Sequence, residues 1–153
     1  MAISLAPMRE EAYGPWYDAA VRHYAEEISR SGFSEDPAAQ AATQFRELLP
    51  DGLGTAGHHL FQIVEDNGTV VGELWVAERR VIQMAFVFAL DIHQEYRRQG
   101  YARSAMQALE DVVKALGLHS IGLHVFGDNT GAIRLYEGLG YQVTNLNMKK
   151  ELG

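Results

Sequence analysis

Between residues 81 and 116 the chain switches once from a strand-like to a helical hydrophobic period, which restricts it to folds in which a buried strand feeds a helix. Val81 to Ile92 reads Val-Ile-Gln-Met-Ala-Phe-Val-Phe-Ala-Leu-Asp-Ile, a β-branched and aromatic run of the kind buried on both faces of a sheet. From Ala102 onward, Ala105, Met106, Leu109, Val112, Val113 and Leu116 recur at helical spacing, and Gly117 supplies a stop. Between the two lies Arg97-Arg98-Gln99-Gly100-Tyr101-Ala102. Small residues at Gly100 and Ala102 let a backbone approach an anion, and the unpaired amides and dipole of a helix's first turn favour negative charge there. Arg97, Arg98 and Arg103 add positive charge in a chain with 20 acidic and 13 basic residues. A polyphosphate is the simplest local reason for that cluster. The order is strand, phosphate loop, helix.

The familiar phosphate loops do not fit these letters. G-x-x-x-x-G-K-[ST] and G-x-G-x-x-G both need glycines at turn positions that this chain fills otherwise. The pattern present is R-x-x-G-x-A, which resembles the Q/R-x-x-G-x-G/A pyrophosphate-binding motif of the GNAT superfamily of acyl-coenzyme A-dependent N-acetyltransferases. A second segment carries the same resemblance. After the strand-like run Leu118 to Phe126, residues Asn129 to Tyr141 read N-x-x-A-x-x-x-Y-x-x-x-G-Y, similar to the superfamily's other hallmark. Asp128 or Asn129 can cap this helix, and Ala132, Ile133, Leu135, Tyr136 and Leu139 form its apolar side. Spacing alone fits Tyr136 as a packed core tyrosine. The pairing of both motifs in this order raises a catalytic role above that.

The remaining elements are read from period and punctuation. Ala2 to Met8 forms a first strand. Pro15 to about Arg30 forms a helix closed by Ser31-Gly32, and Glu35 to Leu49 a second one, with Asp36-Pro37 as its start signal. Residues 50–57 are a loop. His59 to Glu65 and Thr69 to Ala77 are strands joined by the Asp66-Asn67-Gly68 turn, and Tyr141 to Lys150 is a closing strand. The chain, 153 residues and 47% hydrophobic, is one domain's worth and has no internal repeat or linker. The expected fold over 1–153 is α/β. The resemblance implies a GNAT-like mixed, mostly antiparallel sheet of six to seven strands, with parallel central strands 4 and 5 splayed, flanked by about four helices.

Composition removes several function classes. No apolar run is long enough to span a bilayer and no signal-peptide pattern is present, so a cytoplasmic protein without membrane contact is expected. A net charge of −7 with no basic stripe outside the loop argues against nucleic acid. Absence of cysteine rules out a thiol acyl carrier, so transfer is expected to be direct. His58 and His59 point to opposite faces of a strand, His119 and His124 diverge, and no H-E-x-x-H occurs, so no metal is expected.

The resemblance then implies the chemistry. Acetyl-CoA is the cosubstrate, with backbone groups of Leu90 and Ile92 binding pantetheine as a pseudo-strand. The amides of the loop, spanning Arg97, Arg98, Gln99, Gly100, Tyr101, Ala102 and Arg103, would hold the diphosphate, and Asn129 would contact the pantetheine arm. Tyr136 is the candidate acid for the departing thiolate, because an unperturbed phenol pKa of about 10 is close to that of an alkyl thiol. Some superfamily members carry a glutamate on the fourth strand where this chain has Phe86, so the base is sought elsewhere. Glu73, among Val71 and Trp75, and Asp91, inside the strand before the loop, are the candidates, although either is also explained as a solvated carboxylate. The acceptor is an amine of a small molecule or peptide, its wall expected between Trp16 and His59 with Tyr17, Tyr24 and Phe33 for apolar contact. A homodimer is compatible with the resemblance. Two rival readings stay open: a non-catalytic acyl-coenzyme A sensor, suggested by Phe86, and a phosphate-binding domain for another nucleotide.

Overall fold

The structure, a computed structural model, describes residues 2–153. In chain order the elements are β1 (Ile3–Pro7), α1 (Glu10–Ser31), α2 (Pro37–Leu48), β2 (His58–Glu65), β3 (Val70–Arg79), β4 (Met84–Ile92), α3 (Tyr101–Ala115), β5 (Ser120–Leu123) and α4 (Thr130–Gly138). The five strands form one sheet in the order β1-β2-β3-β4-β5, antiparallel except for the parallel β4–β5 pair. Among the described residues no helix is long and apolar enough to cross a membrane.

Local chemistry accounts for the element ends. Asp36 accepts a hydrogen bond from the Ala39 amide at 3.1 Å and Pro37 begins α2, both favourable at a helix start. The Asn67-Gly68 turn closes with Gly68 at φ 90°, the Glu65 amide donating to the Thr69 carbonyl and the Gly68 amide to the Glu65 carbonyl, both at 2.9 Å. α1 starts at Glu10, five residues earlier than the Pro15 start expected from sequence. Glu10 and Glu11 complement the helix dipole, and Pro15 removes a single backbone bond near the end of the first turns.

The sheet divides the core in two. On one face Ala105, Met106 and Leu109 of α3, all 0% exposed, pack on Ile63, Val71, Leu74, Ala85 and Val87. On the other, Trp16 of α1 and Phe45 of α2 pack on Trp75, with Trp16 edge-on to Trp75 at 5.7 Å between ring centroids. Leu74 and Trp75 thus serve opposite cores, as strand alternation requires.

Three strand expectations need correction. Val81 to Gln83 are not strand: Arg80–Ile82 make one 3₁₀ turn and Gln83 adopts φ 53°, because β3 runs on to Arg79 and the chain must reverse there. The strand expected over 118–126 is only Ser120–Leu123, since its partner rows end at Val87–Leu123. The segment from Tyr141 to Lys150 is unpaired, so the sheet has five strands rather than six or seven and β5 lies at its edge instead of its centre. Its apolar residues Val143, Leu146 and Met148 break the two-residue period, Asn145 and Asn147 disfavour strands, and the four-residue β5 offers little ladder to join.

The β4–β5 pairing stops where β4 bulges. Trp75 faces Ala89 and Val76 faces Val87, so Phe88 is an extra residue in β4. Phe88 and Ala89 consequently both turn to the α1–α2 core, while Leu90 and Ile92 return to the α3 core. Close backbone approach between β3 and β4 continues beyond the bulge: a Cβ on Gly72 would overlap the Asp91 carbonyl oxygen. Gly72→Ala is therefore expected to destabilise the fold by about 1–3 kcal/mol, read as a lowered urea midpoint with an unchanged m-value.

Candidate active site

Beyond Val87 and Leu123 the two parallel strands separate, and the gap opens into a cleft of about 1000 Å³. α1 and α2 form one wall, β3 and β4 the floor, and residues 123–136 the other wall. Backbone direction in this gap follows from the ladder. His93 donates to the Val71 carbonyl at 2.8 Å, so Asp91, two residues back, also faces β3, and the alternation of an antiparallel pair turns the N–H and C=O groups of Leu90 and Ile92 toward the side β5 has left. These are the two residues the sequence resemblance singled out for pantetheine.

The loop after β4 has the geometry of an anion cradle. Arg98 and Gly100 lie at φ 63° and 86°, and the first α3 backbone bond is Ser104 to the Gly100 carbonyl at 3.1 Å. The amides of Tyr101, Ala102 and Arg103 thus precede the helix's own bonding and Gly100 provides no side-chain cap. A left-handed arginine is a strained conformation, of a kind that gathers at binding sites. No atom lies within 4 Å of a Cβ built on Gly100, so the glycine meets a conformational need and leaves open space beside it.

The side chains of this loop divide into two groups. Arg97 donates to the Ile92 carbonyl at 2.8 Å and reaches Asp91 at 3.3 Å, clasping the loop to the strand. Gln99 bonds the Glu95 carbonyl at 3.3 Å, and the Tyr101 ring is buried with its hydroxyl donating to Glu65 at 2.7 Å. Arg98 and Arg103 are exposed. What Gln99 and Tyr101 can offer an anion is therefore backbone, whereas Arg98 and Arg103 can offer charge.

The cleft brings Glu73, Leu90, Asp91, Asn129 and Tyr136 together, as the sequence analysis expected. Asn129 caps α4 through its side-chain oxygen, 3.2 Å from the Ala132 amide. Tyr136 is partly buried; burial raises its phenol pKa, and the Glu27 charge raises it further. Glu73 is half-buried, and burial raises its carboxyl pKa against the opposing pull of His93, whose Nε2 lies 2.7 Å away. Asp91 is exposed and tied to Arg97. Glu73, Asp91 and His93 bring one ligand atom each within 4.8 Å of one another, the grouping among the described residues able to hold a cation, although Arg97 and the Glu73–His93 bond already engage all three. His58 and His59 part as expected: His58 accepts from Trp75 Nε1 at 2.9 Å and His59 meets Glu78 at 2.6 Å.

Other features differ from expectation or lay beyond it. Phe86 carries the Arg79 guanidinium 4.2 Å above its ring, so a cation stands over the position where the sequence resemblance points to a carboxylate. Of the stretch expected to form the acceptor wall, α1 and α2 line the cleft but residues 50–57 do not; Thr55 ties that loop to itself through Asp51 and Gly52. Tyr24 faces the cleft, Tyr17 packs on Phe45 in the core, and Phe33 is exposed away from it. Glu27 and His124, which line the cleft, gave no sequence signal, because a half-buried acid on an amphipathic helix reads like any surface glutamate.

A splayed parallel strand pair, an uncapped glycine loop opening a helix and a tyrosine lining the cleft are thus brought to the end of the sheet where β4 and β5 part. Residues 15–141 match the acetyltransferase (GNAT) family. The chain is 36% identical over 156 residues to the uncharacterized N-acetyltransferase YycN of Bacillus subtilis, covering 99% of this chain and 100% of that one. It is 30% identical to the uncharacterized N-acetyltransferase YdgE of the same organism, over 99% of each. The crystal structure of B. subtilis YycN superposes with a TM-score of 0.92 at 35% identity, covering 99% of both chains. The chain belongs to the GNAT family of acetyltransferases.

Proposed function

We propose that this protein is an acetyl-CoA-dependent N-acetyltransferase that acetylates a primary amine of a small molecule or peptide directly, in a ternary complex. The observation that carries this reading is the separation of β4 from β5, which leaves the Leu90 and Ile92 backbone groups turned toward the vacated side a few residues before the loop at Arg98–Arg103. An extended pantetheine arm has amides to complete that open ladder, and a diphosphate suits the uncapped amides at its end.

Transfer needs a neutral amine, a donor to the developing oxyanion and an acid for the departing thiolate. The Leu90 amide is suited to the oxyanion. Tyr136 is suited to the acid: a phenol is protonated at neutral pH and its ordinary pKa lies close to that of an alkyl thiol, so it can hand its proton to the thiolate. Proton removal from the amine falls to a carboxylate of the cleft, for which Glu73 and Asp91 are the sequence candidates. The excess of acid in the chain and on the cleft walls supports a cationic acceptor.

Phe86 favours the rival reading of a binding module without turnover, since it removes a carboxylate from β4; the half-buried acids and phenol elsewhere in the cleft favour catalysis. Release of free thiol from acetyl-CoA across an amine library separates the two: turnover with any amine supports the transferase, and binding without turnover supports the module. Tyr136→Phe is expected to lower kcat by about 10²–10⁴ while acetyl-CoA affinity stays within about threefold, and full activity would remove the phenol from the chemistry. Gly100→Val is expected to weaken acetyl-CoA binding by calorimetry at least about tenfold, through loss of the left-handed turn.

A further inference from the structure

The carboxylates lining the cleft are not equivalent. Asp91, exposed and held by Arg97, is near the end of β4 that leads into the loop, and Glu73, hydrogen-bonded to His93, lies opposite it on β3. Glu26 and Glu47 are exposed. Glu27 differs in place rather than in burial: its side chain is 18% exposed against 13% for Glu73, but it projects from α1, where the His23 ring one turn back lies 3.5 Å away.

Its position is fixed by the residues on either side along the helix. Tyr24, Glu27 and Arg30 lie at three-residue intervals and share one stripe of α1. Tyr24 packs against Phe126 with ring centroids 6.3 Å apart, and Arg30 bonds Asp128 at 3.0 Å. Glu27, between these two contacts, is held over the segment 124–129, where β5 has left the sheet and just before the cap of the helix that carries Tyr136. Carboxylate and phenol therefore line the same cleft, near enough for the Glu27 charge to act on the Tyr136 phenol.

We infer that Glu27 is where the acceptor's ammonium docks and gives up its proton, making it the general base of the transfer proposed above, on which this inference rests. The ammonium loses one proton to the Glu27 carboxylate, directly or through one water. The neutral nitrogen forms a bond to the acetyl carbonyl carbon, the carbon–sulfur bond breaks, and the thiolate takes the Tyr136 proton. The protonated amide nitrogen gives its remaining extra proton back to the Tyr136 phenolate, and Glu27 releases its own to solvent. The sum is one amide, one thiol and one proton from one ammonium and one thioester.

The groups around Glu27 are His23 and Arg30 on α1, His124 and Asp128 on the facing segment, and Tyr136 on α4. Burial is the largest influence and raises the Glu27 pKa, Asp128 raises it too, and His23, Arg30 and His124 oppose the rise. Rate is lost as pH falls through this pKa, because the protonated acid cannot accept. The acid limb of kcat/KM is thus expected above the ordinary glutamate value of about 4.3.

The test compares kcat/KM against pH for the wild-type protein, Glu27→Gln, Glu27→Asp and Glu73→Gln, using acetyl-CoA and an alkylamine turned over by the wild type. Glu27→Gln is expected to lose about 10²–10⁴ in kcat/KM near neutral pH. Its acid limb should move to the acceptor's own ammonium pKa, about 10 for an alkylamine, so that the deficit shrinks as pH rises. Glu27→Asp, which keeps a shorter carboxylate, is expected to be slower than wild type yet retain a limb in the carboxylate range, and it carries the test if the glutamine variant does not fold. The assignment is overturned if Glu27→Gln keeps the wild-type limb, if Glu27→Asp matches wild type in rate, or if the limb moves in Glu73→Gln instead. A wild-type protein that turns over no amine sinks the transferase reading and this assignment with it, whereas an active wild type with an indifferent Glu27 sinks only the assignment.

Discussion

The separation of two parallel strands after one short stretch of pairing governs the rest of this molecule. β4 and β5 share only the rows from Met84–Ser120 to Val87–Leu123, and the extra residue Phe88 in β4 coincides with their parting. Backbone groups left facing a gap are costly unless water or a ligand completes them. Leu90 and Ile92 carry such groups, and the Arg97 guanidinium answers one of them by taking the Ile92 carbonyl. The same arginine, which also reaches Asp91, ties the strand edge to the loop whose amides open α3.

The two cores divide the work. The α3 face is tightly filled, with Ala105, Met106 and Leu109 fully buried, and it holds the N-terminus of α3 rigidly against β4. The opposite face is built from large aromatic rings, Trp16, Phe45, Trp75 and Phe88, that leave a cleft above the sheet instead of closing it. Under the proposed function, coenzyme recognition would rest on backbone and a packed helix, and acceptor recognition on side chains of α1 and α2. The Tyr24–Phe126 and Arg30–Asp128 contacts join the walls and bring an acid on α1 into the cleft that the phenol on α4 also lines.

What was legible in the sequence was whatever depends on local order. The apolar run ending at Ile92, the glycine at 100 and the helical period after Ala102 each describe a neighbourhood in the chain, and strand, loop and helix follow from them. The cap of α4 at Asn129 was legible for the same reason. Phe88's bulge was not, since nothing in Val-Phe-Ala marks which residue will be unpaired until β3 is laid beside it. Glu27 was silent because its meaning depends on Phe126 and Asp128, about a hundred residues away. The strand expected from Tyr141 failed on a similar ground: Val143, Leu146 and Met148 look suited to a sheet, but strand formation needs a partner edge, and β5 supplies four residues.

Amide hydrogen exchange at single-residue resolution addresses the open ladder most directly. In the free protein the Leu90 and Ile92 amides should exchange quickly while Asp91 and His93, bonded toward β3, remain protected. Saturating acetyl-CoA should slow Leu90 and Ile92 at least about tenfold. Unchanged exchange at both residues in the saturated protein would mean that the coenzyme does not occupy the gap between the strands, and the account of this site would be wrong.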